Sequence, residues 1–383
     1  MANMNHKSSK KTEEKITNVN NDDTSMVVPQ LGTKPKELHK MLNEYVIGQD
    51  EAKKTLCIGM YNHWRRILAN KFNVELRNKE LEKVNVEKSN ILLMGKTGTG
   101  KTYMIKTLAK MLGLPCYVSD ACRLTAAGYV GDDIETVITG LLQECNYDVN
   151  MAEIGIVVID EADKLARKGD NPSITRDVGG ESVQQGILKI VEGSVVGVPP
   201  YGGRKHPEQP LLYVDTSNIL FIFMGAFDGL DKIIEKRINI RRIGFNNQNN
   251  ADNKGNIFSE VTTEDLQKFG LIPELIGRFP IITSTNELTK EDLVRILKEP
   301  KNSLIKQYQK LFAIDDIDLE FTDNAINKIA EYALIRKTGA RGLKTIMEKV
   351  LSNVMYDFSD YDGKTLTINT EYINNILKQR KAA

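Results

Sequence analysis

One stretch of the chain combines glycines, a lysine and a threonine at a spacing that suits phosphate binding. Gly95 and Gly100 enclose four residues, and Lys101 and Thr102 follow at once, which is the G-x-x-x-x-G-K-[ST] pattern called Walker A. Glycines let the backbone bend tightly and turn its N–H groups toward an anion. The pattern predicts a nucleoside triphosphate site formed by Gly95, Lys96, Thr97, Gly98, Thr99, Gly100, Lys101 and Thr102.

The sequence on either side predicts the elements that hold this loop. Ile91–Met94 is a short apolar run typical of a buried strand, and Tyr103–Met111 carries apolar residues at helical spacing. A loop in this position meets the positive end of the helix, which favours phosphate. A glycine-rich turn that binds nothing is the alternative, and it fits the order of strand, loop, lysine and helix poorly.

A second apolar run ends in two acidic residues. Ile154–Ile159 is continuous and apolar, as in a central parallel strand, and Asp160 and Glu161 follow it as a Walker B motif. Asp160 can hold Mg²⁺, directly or through water, and Glu161 can orient and deprotonate an attacking water. Acidic pairs also occur as plain helix caps. Because this pair follows a Walker A motif with another strand between, we interpret it as hydrolytic.

Composition restricts the class of protein. The chain has 383 residues, 41% of them hydrophobic, and a net charge of +1, which gives no reason to expect nucleic acid or a membrane surface as a partner. No apolar run approaches the roughly 20 residues that cross a bilayer. The four cysteines form no C-x-x-C pair, so we expect thiols in a reducing compartment, a cytoplasmic location with an organelle matrix not excluded, and no zinc.

The pattern of elements predicts two folded domains. We expect a disordered tail over 1–34, an α/β domain with a parallel central sheet over 35–286, and a small, mainly helical α+β domain over 287–383. Asp50 is a plausible N-cap of a helix that runs to about Ala69. In the second domain we expect helices at about Lys290–Phe312, Asp323–Ile335 and Gly339–Tyr356, with strands near Asp318–Phe321 and Thr365–Ile368.

Three further stretches allow a functional or a structural interpretation. The run Tyr45, Val46 and Ile47 is either an apolar slot for adenine or a turn in the core. The run Gly128, Tyr129, Val130 and Gly131 is either a mobile loop that presents Tyr129 or a tight turn with a core tyrosine.

The third stretch is the polar run Arg237–Lys254, which we interpret as a long surface loop. It contains the run Ile243, Gly244 and Phe245, which is either an exposed docking tip or a local apolar staple onto the domain's own surface. Arg204, Lys205 and His206 are most simply a solvated basic turn.

Taken together, the motifs resemble those of AAA+ ATPases, and most closely the ClpX family, the unfoldase rings that feed the ClpP peptidase. The resemblance runs from about Lys36 to Lys378. It rests on eight segments in the family's order: Tyr45–Gln49, Gly95–Thr102, Gly128–Gly131, Ile159–Lys164, Arg204–His206, Ile243–Phe245, Leu271–Arg278 and Gly339–Gly342.

The resemblance implies an ATPase that uses ATP and Mg²⁺, works as a homo-hexamer, unfolds protein substrates through a central pore and delivers them to a ClpP-type peptidase. Lys101 and Thr102 would bind the phosphates and Mg²⁺, with Asp160 supporting the metal and Glu161 activating water. Arg278 would be an arginine finger that reaches the nucleotide of a neighbouring subunit, and Arg341 would couple nucleotide state to the angle between domains.

The resemblance also assigns residues to the substrate and to the peptidase. Pore residues would be Gly128, Tyr129, Val130, Gly131, Arg176, Arg204, Lys205 and His206. Peptidase-docking residues would be Ile243, Gly244 and Phe245.

Two departures from the family pattern leave alternatives open. The residues before Lys34 contain no cysteine, so we do not expect the four-cysteine zinc domain with which bacterial members usually begin and which recruits adaptors and some substrates. A stand-alone remodelling chaperone without a peptidase is therefore the alternative function, and a nucleotide-gated scaffold is a third. The strand that ends in Phe223, Met224 and Gly225 shows no polar sensor residue, and we assign none.

Overall fold

The computed structural model describes residues 33–71, 76–125, 132–166, 180–199, 210–243, 256–358, 361 and 363–379. Up to residue 286 the helices and strands are α1 Pro35–Asn43, α2 Asp50–Lys71, β1 Ile91–Met94, α3 Lys101–Leu112, β2 Cys116–Asp120, β3 Leu124–Thr125, β4 Asp132–Asp133, α4 Thr136–Glu144, α5 Val149–Ala152, β5 Ile156–Asp160, α6 Glu181–Glu192, β6 Val195–Val198, β7 Leu212–Asp215, β8 Leu220–Gly225, α7 Leu230–Ile243, α8 Thr263–Phe269, α9 Pro273–Gly277 and β9 Ile281–Ser284. From residue 287 they are α10 Lys290–Lys298, α11 Leu304–Ala313, β10 Asp318–Phe321, α12 Asp323–Ile335, α13 Gly339–Tyr356, β11 Thr365–Ile368 and α14 Thr370–Gln379.

Five strands form a parallel sheet in the order β2-β5-β8-β1-β9, which confirms the predicted α/β class. The register pairs Asp120 with Asp160 and Met94 with both Gly225 and Ser284, so the carboxyl ends of all five strands lie along one edge. Ligands of open parallel sheets bind at this edge, because the loops that follow the strands meet there. The phosphate loop and the Walker B acids therefore lie close together.

Each face of the sheet buries a separate apolar layer. Alternate residues of β1 point to opposite sides: Ile91 and Leu93 pack with α1, α2 and α3, whereas Leu92 and Met94 pack with α4, α6 and α9. Strands covered on both faces need continuous apolar sequence, which explains why these strands were recognisable.

Residues from Leu293 to Ile373 enclose a third apolar core, built from α10 to α14 and the two-stranded parallel sheet of β10 and β11. A helical unit thus follows the α/β unit, as predicted. Within the described segments no helix is long and apolar enough to span a membrane.

Several sequence predictions were wrong in detail. The single helix expected at Lys290–Phe312 is two helices, α10 and α11, since Pro300 in the connection cannot continue a helix. The polar run from Arg237 is not a loop from its start, because α7 continues to Ile243 and Arg237 pairs with the buried Asp265 at 2.9 Å. Asp50 is the first helical residue of α2 rather than its cap. Helices α4 and α14 and the antiparallel pair β6–β7 were not predicted.

Candidate functional site

The phosphate loop leaves the sheet at Gly95 and enters α3 through Gly100. Gly95 and Gly98 have φ values of 145° and 83°, a region that side chains rarely adopt. A Cβ atom on Gly95 would overlap the side chain of Thr285, and one on Gly98 would overlap the carbonyl oxygen of Thr338. Both glycines are therefore needed for close approach as well as for the bend.

Lys101 lies inside this loop and is 8% exposed. Its ammonium donates to the carbonyl oxygens of Gly95 and, at 3.0 Å, of Lys96. Burial lowers the pKa of Lys101, while the carboxylates of Asp160 and Asp163 act in the opposite direction. A buried cation at the positive end of a helix is an arrangement that suits a polyphosphate.

Two threonines of the phosphate loop, Thr99 and Thr102, contact the residues around it through their hydroxyl groups. Thr99 Oγ1 donates to the carbonyl of Lys96 at 2.9 Å and lies 2.7 Å from Thr285 Oγ1, which follows β9. Thr102 is the second residue of α3, and its Oγ1 is directed at Met224 Sδ, 3.8 Å away. Thr102 and Asp160 have the oxygen ligands that Mg²⁺ prefers, and both belong to elements that meet at this edge of the sheet.

The Walker B acids end β5 in two different environments. Burial raises the pKa of the Asp160 carboxyl, and its Oδ1 accepts the Glu161 N–H at 2.8 Å. Glu161 is exposed and has a left-handed backbone, with φ 55°. The Cys122 thiol donates to Glu161 Oε2 at 3.1 Å. Sequence reasoning missed this contact, since Cys122 is brought to β5 only by the pairing of β2 with β5.

The two arginines occupy different places. Arg278 follows α9, its side chain is 53% exposed, and its Nη2 pairs with Glu192 at 2.6 Å. Arg341 is in the first turn of α13, close enough to Lys101 to lower the pKa of that lysine. The adjacent Ala340 N–H donates to the carbonyl of Gly98 at 2.9 Å. The start of α13 thus lies directly on the phosphate loop.

The run Tyr45–Ile47 connects α1 to α2. Val46 and Ile47 are 7% and 6% exposed, and Tyr45 packs against the apolar layer that β1 shares with α1, α2 and α3. These positions are compatible with either sequence interpretation, an adenine slot or a core turn.

Gln49, at the end of the same turn, makes a long-range contact that the sequence did not predict. Its side chain donates to the Asn286 carbonyl at 2.8 Å and accepts the Asn286 N–H at 2.7 Å. Gln49 is 6% exposed and lies directly before α2, so it ties this turn to the connection between the α/β unit and the helical unit.

Several predicted residues lie outside the described residues: Gly128, Tyr129, Val130, Gly131, Arg176, Arg204, Lys205, His206, Gly244 and Phe245. Ile243 is the last residue of α7. The pore and docking assignments therefore stay predictions.

Comparison with known families agrees with this geometry. Residues 86–282 match the family described as AAA domain (Cdc48 subfamily). Residues 288–359 match the C-terminal, D2-small domain, of ClpB protein. A parallel sheet with a phosphate loop and Walker B acids at its edge, in a chain that matches this family, defines an AAA ATPase.

Individual curated relatives identify the family within the AAA ATPases more narrowly. An ATP-dependent Clp protease ATP-binding subunit ClpX from Treponema denticola is 51% identical over 345 residues, 89% of this chain and 81% of that protein. Proteins of the same description from Porphyromonas gingivalis and Bacteroides thetaiotaomicron are each 49% identical, over 88% and 91% of this chain and 81% and 83% of their own length. The chain belongs to the ClpX family.

Proposed function

We propose that this ATPase unfolds proteins by pulling them through a central pore of a homo-hexamer and delivers them to a ClpP-type peptidase. The observation that supports it most is the contact of Ala340 with Gly98. A rearrangement of the phosphate loop on hydrolysis would act directly on α13, and so on the helical unit. The printed description of the relatives, an ATP-binding subunit of a Clp protease, supports the peptidase as partner.

In the proposed reaction, water attacks the γ-phosphorus of ATP and the bond to the β,γ-bridging oxygen breaks, which leaves ADP and phosphate. The Glu161 carboxylate orients this water and accepts its proton. Lys101 binds the phosphate oxygens. Thr102 and Asp160 are the residues that would hold Mg²⁺, which when bound neutralises phosphate charge.

Arg278 is proposed to act across the subunit interface. Half of its side chain is exposed, and its carboxylate partner Glu192 is itself on the surface, so the guanidinium can leave that pair at small cost. An arginine finger is worth about 10³ to 10⁵ in rate in well-studied systems. Hydrolysis would then require assembly.

A mixing experiment tests the interface directly. Arg278→Ala and Glu161→Gln subunits, each inactive alone, are combined and phosphate release is measured with ATP and Mg²⁺. Mixed rings contain some interfaces with both groups intact, so we expect partial recovery. Arg295→Ala, which removes a similarly exposed arginine paired with Glu299, is the control and should stay active. No recovery in mixtures that do form rings would contradict a finger supplied by the neighbour.

The unfolding and delivery steps need a protein substrate. A folded fluorescent protein carrying a degradation tag is incubated with the chain, ATP and the ClpP-type peptidase of the same organism. We expect fluorescence to fall only with ATP and peptides to appear only with the peptidase. Loss of fluorescence without peptides in the complete mixture would favour the stand-alone chaperone, and deletion of 243–245 should then change nothing.

Two variants test, in turn, whether Tyr129 contacts the substrate and whether the chain forms a hexamer. Tyr129→Ala should keep most ATPase activity while unfolding weakens, whereas equal loss of both would indicate a structural tyrosine. The Glu161→Gln chain with ATP should have a mass about six times 43.0 kDa by light scattering. A monomer that releases no phosphate would contradict the whole proposal.

A further inference from the structure

Asp163, in the turn after β5, has a carboxylate oxygen whose environment is unusual. Its side chain is 4% exposed, and Oδ2 pairs with Lys164 Nζ at 3.2 Å. Oδ1 is fully buried and has no hydrogen-bond partner in the part of the chain that the structure describes. Native proteins seldom leave a buried carboxylate oxygen without a donor, and such cases commonly mark a place for an ordered water or a ligand.

The orphan oxygen is directed at the end of β8. A Cβ atom on Gly225 would overlap Asp163 Oδ1, so the carboxylate occupies the space that a side chain at the end of this strand would fill. The Gly225 carbonyl in turn accepts the Gly95 N–H at 3.1 Å, which places the same spot beside the phosphate loop. The charge of Asp163 also acts on the pKa of Lys101. Asp163 Oδ1 therefore lies against the end of β8, at the strand residue whose carbonyl contacts the phosphate loop.

We infer that Asp163 is a positioning residue of the ATPase site, which supplies the polar group that β8 lacks and whose Oδ1 holds an ordered water of the nucleotide-bound site. An ionised carboxylate only accepts hydrogen bonds, so its partner must be a donor. Lys101 donates to two carbonyl oxygens and keeps its third hydrogen for the phosphate, so a water is the donor that remains for Asp163 Oδ1. The inference rests on the roles proposed above for Lys101 and Glu161.

The alternative is that Asp163 has only a structural role, as the partner of Lys164. Lys164 is half exposed and pairs with Oδ2, so this ion pair does not explain why Oδ1 is buried beside Gly225. If Asp163 served only that pair, an uncharged group of equal size would leave catalysis unchanged.

The test compares Asp163→Asn and wild type by kcat, by KM for ATP, by the affinity for a fluorescent ADP with and without Mg²⁺, and by the melting temperature of the nucleotide-free protein. We expect kcat to fall about tenfold or more, because an oriented water is lost. ADP affinity should stay within about threefold, and the melting temperature should stay equal or rise, since a buried charge is removed. A kcat within twofold of wild type, or a parallel fall in melting temperature and ADP affinity, overturns the inference.

Three more variants keep the test decisive. Gly225→Ala should displace Oδ1 and lower kcat as Asp163→Asn does. The double variant Asp163→Ala with Gly225→Asn returns a polar group to the same spot and should be at least threefold faster than Asp163→Ala alone; no gain contradicts the placement. Lys164→Met removes only the Oδ2 partner and should keep kcat within twofold. If Glu161→Gln is inactive while Asp163→Asn is fully active, this inference fails and the proposed function stands.

Discussion

Replacing Gln49 by methionine tests how strongly its buried amide holds the turn before α2 on the connection that leads to the helical unit. Methionine keeps the length and the unbranched Cβ of glutamine, so the left-handed backbone at this position, φ 62°, carries equal strain in both proteins. What is lost is the pair of hydrogen bonds to the Asn286 backbone, at 2.7 and 2.8 Å.

The size of the effect follows from the exposure of the two partners. A buried backbone group left without a partner costs about 1–3 kcal/mol. Asn286 is itself exposed, so water can reach its backbone in part, and we take the lower end for each group. The expected decrease in the free energy of unfolding is about 2 kcal/mol. For a unit of roughly 250 residues, such as the α/β unit, this lowers the melting temperature by about 4–8 °C.

The assay combines thermal unfolding, followed by circular dichroism, with hydrogen exchange of the Asn286 amide. Exchange of that amide should accelerate by about tenfold or more, because 1.4 kcal/mol corresponds to a factor of ten. Gln307→Met is the matched control, since Gln307 is exposed and its side chain donates to the nearby Asn302 carbonyl. A melting temperature within 1 °C of wild type and unchanged exchange would refute the reasoning.

Three other predictions concern the site and the core. Glu161→Gln should bind ATP normally and stop turnover; in an equilibrium binding and phosphate-release assay, cycling at the wild-type rate would contradict the assignment of the base. Desolvation and the carboxylates of Glu161 and Asp120 raise the pKa of the Cys122 thiol to about 12, so it should alkylate slowly at pH 8 despite its exposure, as followed by mass spectrometry, and faster in Glu161→Gln. Burial first, and Arg66 next, lower the pKa of His63 to about 3; its neutral ring bonds to the Ile154 carbonyl at 3.1 Å. Because the unfolded chain binds this proton below about pH 6.5 and the folded chain does not, stability should fall as pH drops from 6.5, by up to 1.36 kcal/mol per pH unit, and His63→Gln should flatten that slope in urea titrations.

Much of the fold could be read from local sequence. The strand, loop and helix around Gly95 each carry their own signal, and helices α12 and α13 begin and end at the expected residues. The break at Pro300 was missed, although its signal is local, because proline cannot continue a helix whatever surrounds it. Helix α7 was missed for the opposite reason: its polar run is stabilised by Arg237 and the buried Asp265, a pair that is 28 residues apart and has no local signature.

The sequence by itself determined the chemistry of this protein: a phosphate loop before a helix, two acids after a strand, and a helical unit behind them, all from patterns within a few residues of one another. Only the tertiary structure decided which groups meet. The pairing of β2 with β5 brings Cys122 to Glu161, and Gly225 at the end of β8 leaves room for the Asp163 carboxylate. The fold also brings Gln49 into contact with Asn286, and Ala340 into contact with Gly98. Such contacts join residues far apart in the chain, and their energies depend on burial and strand order, which no local pattern specifies.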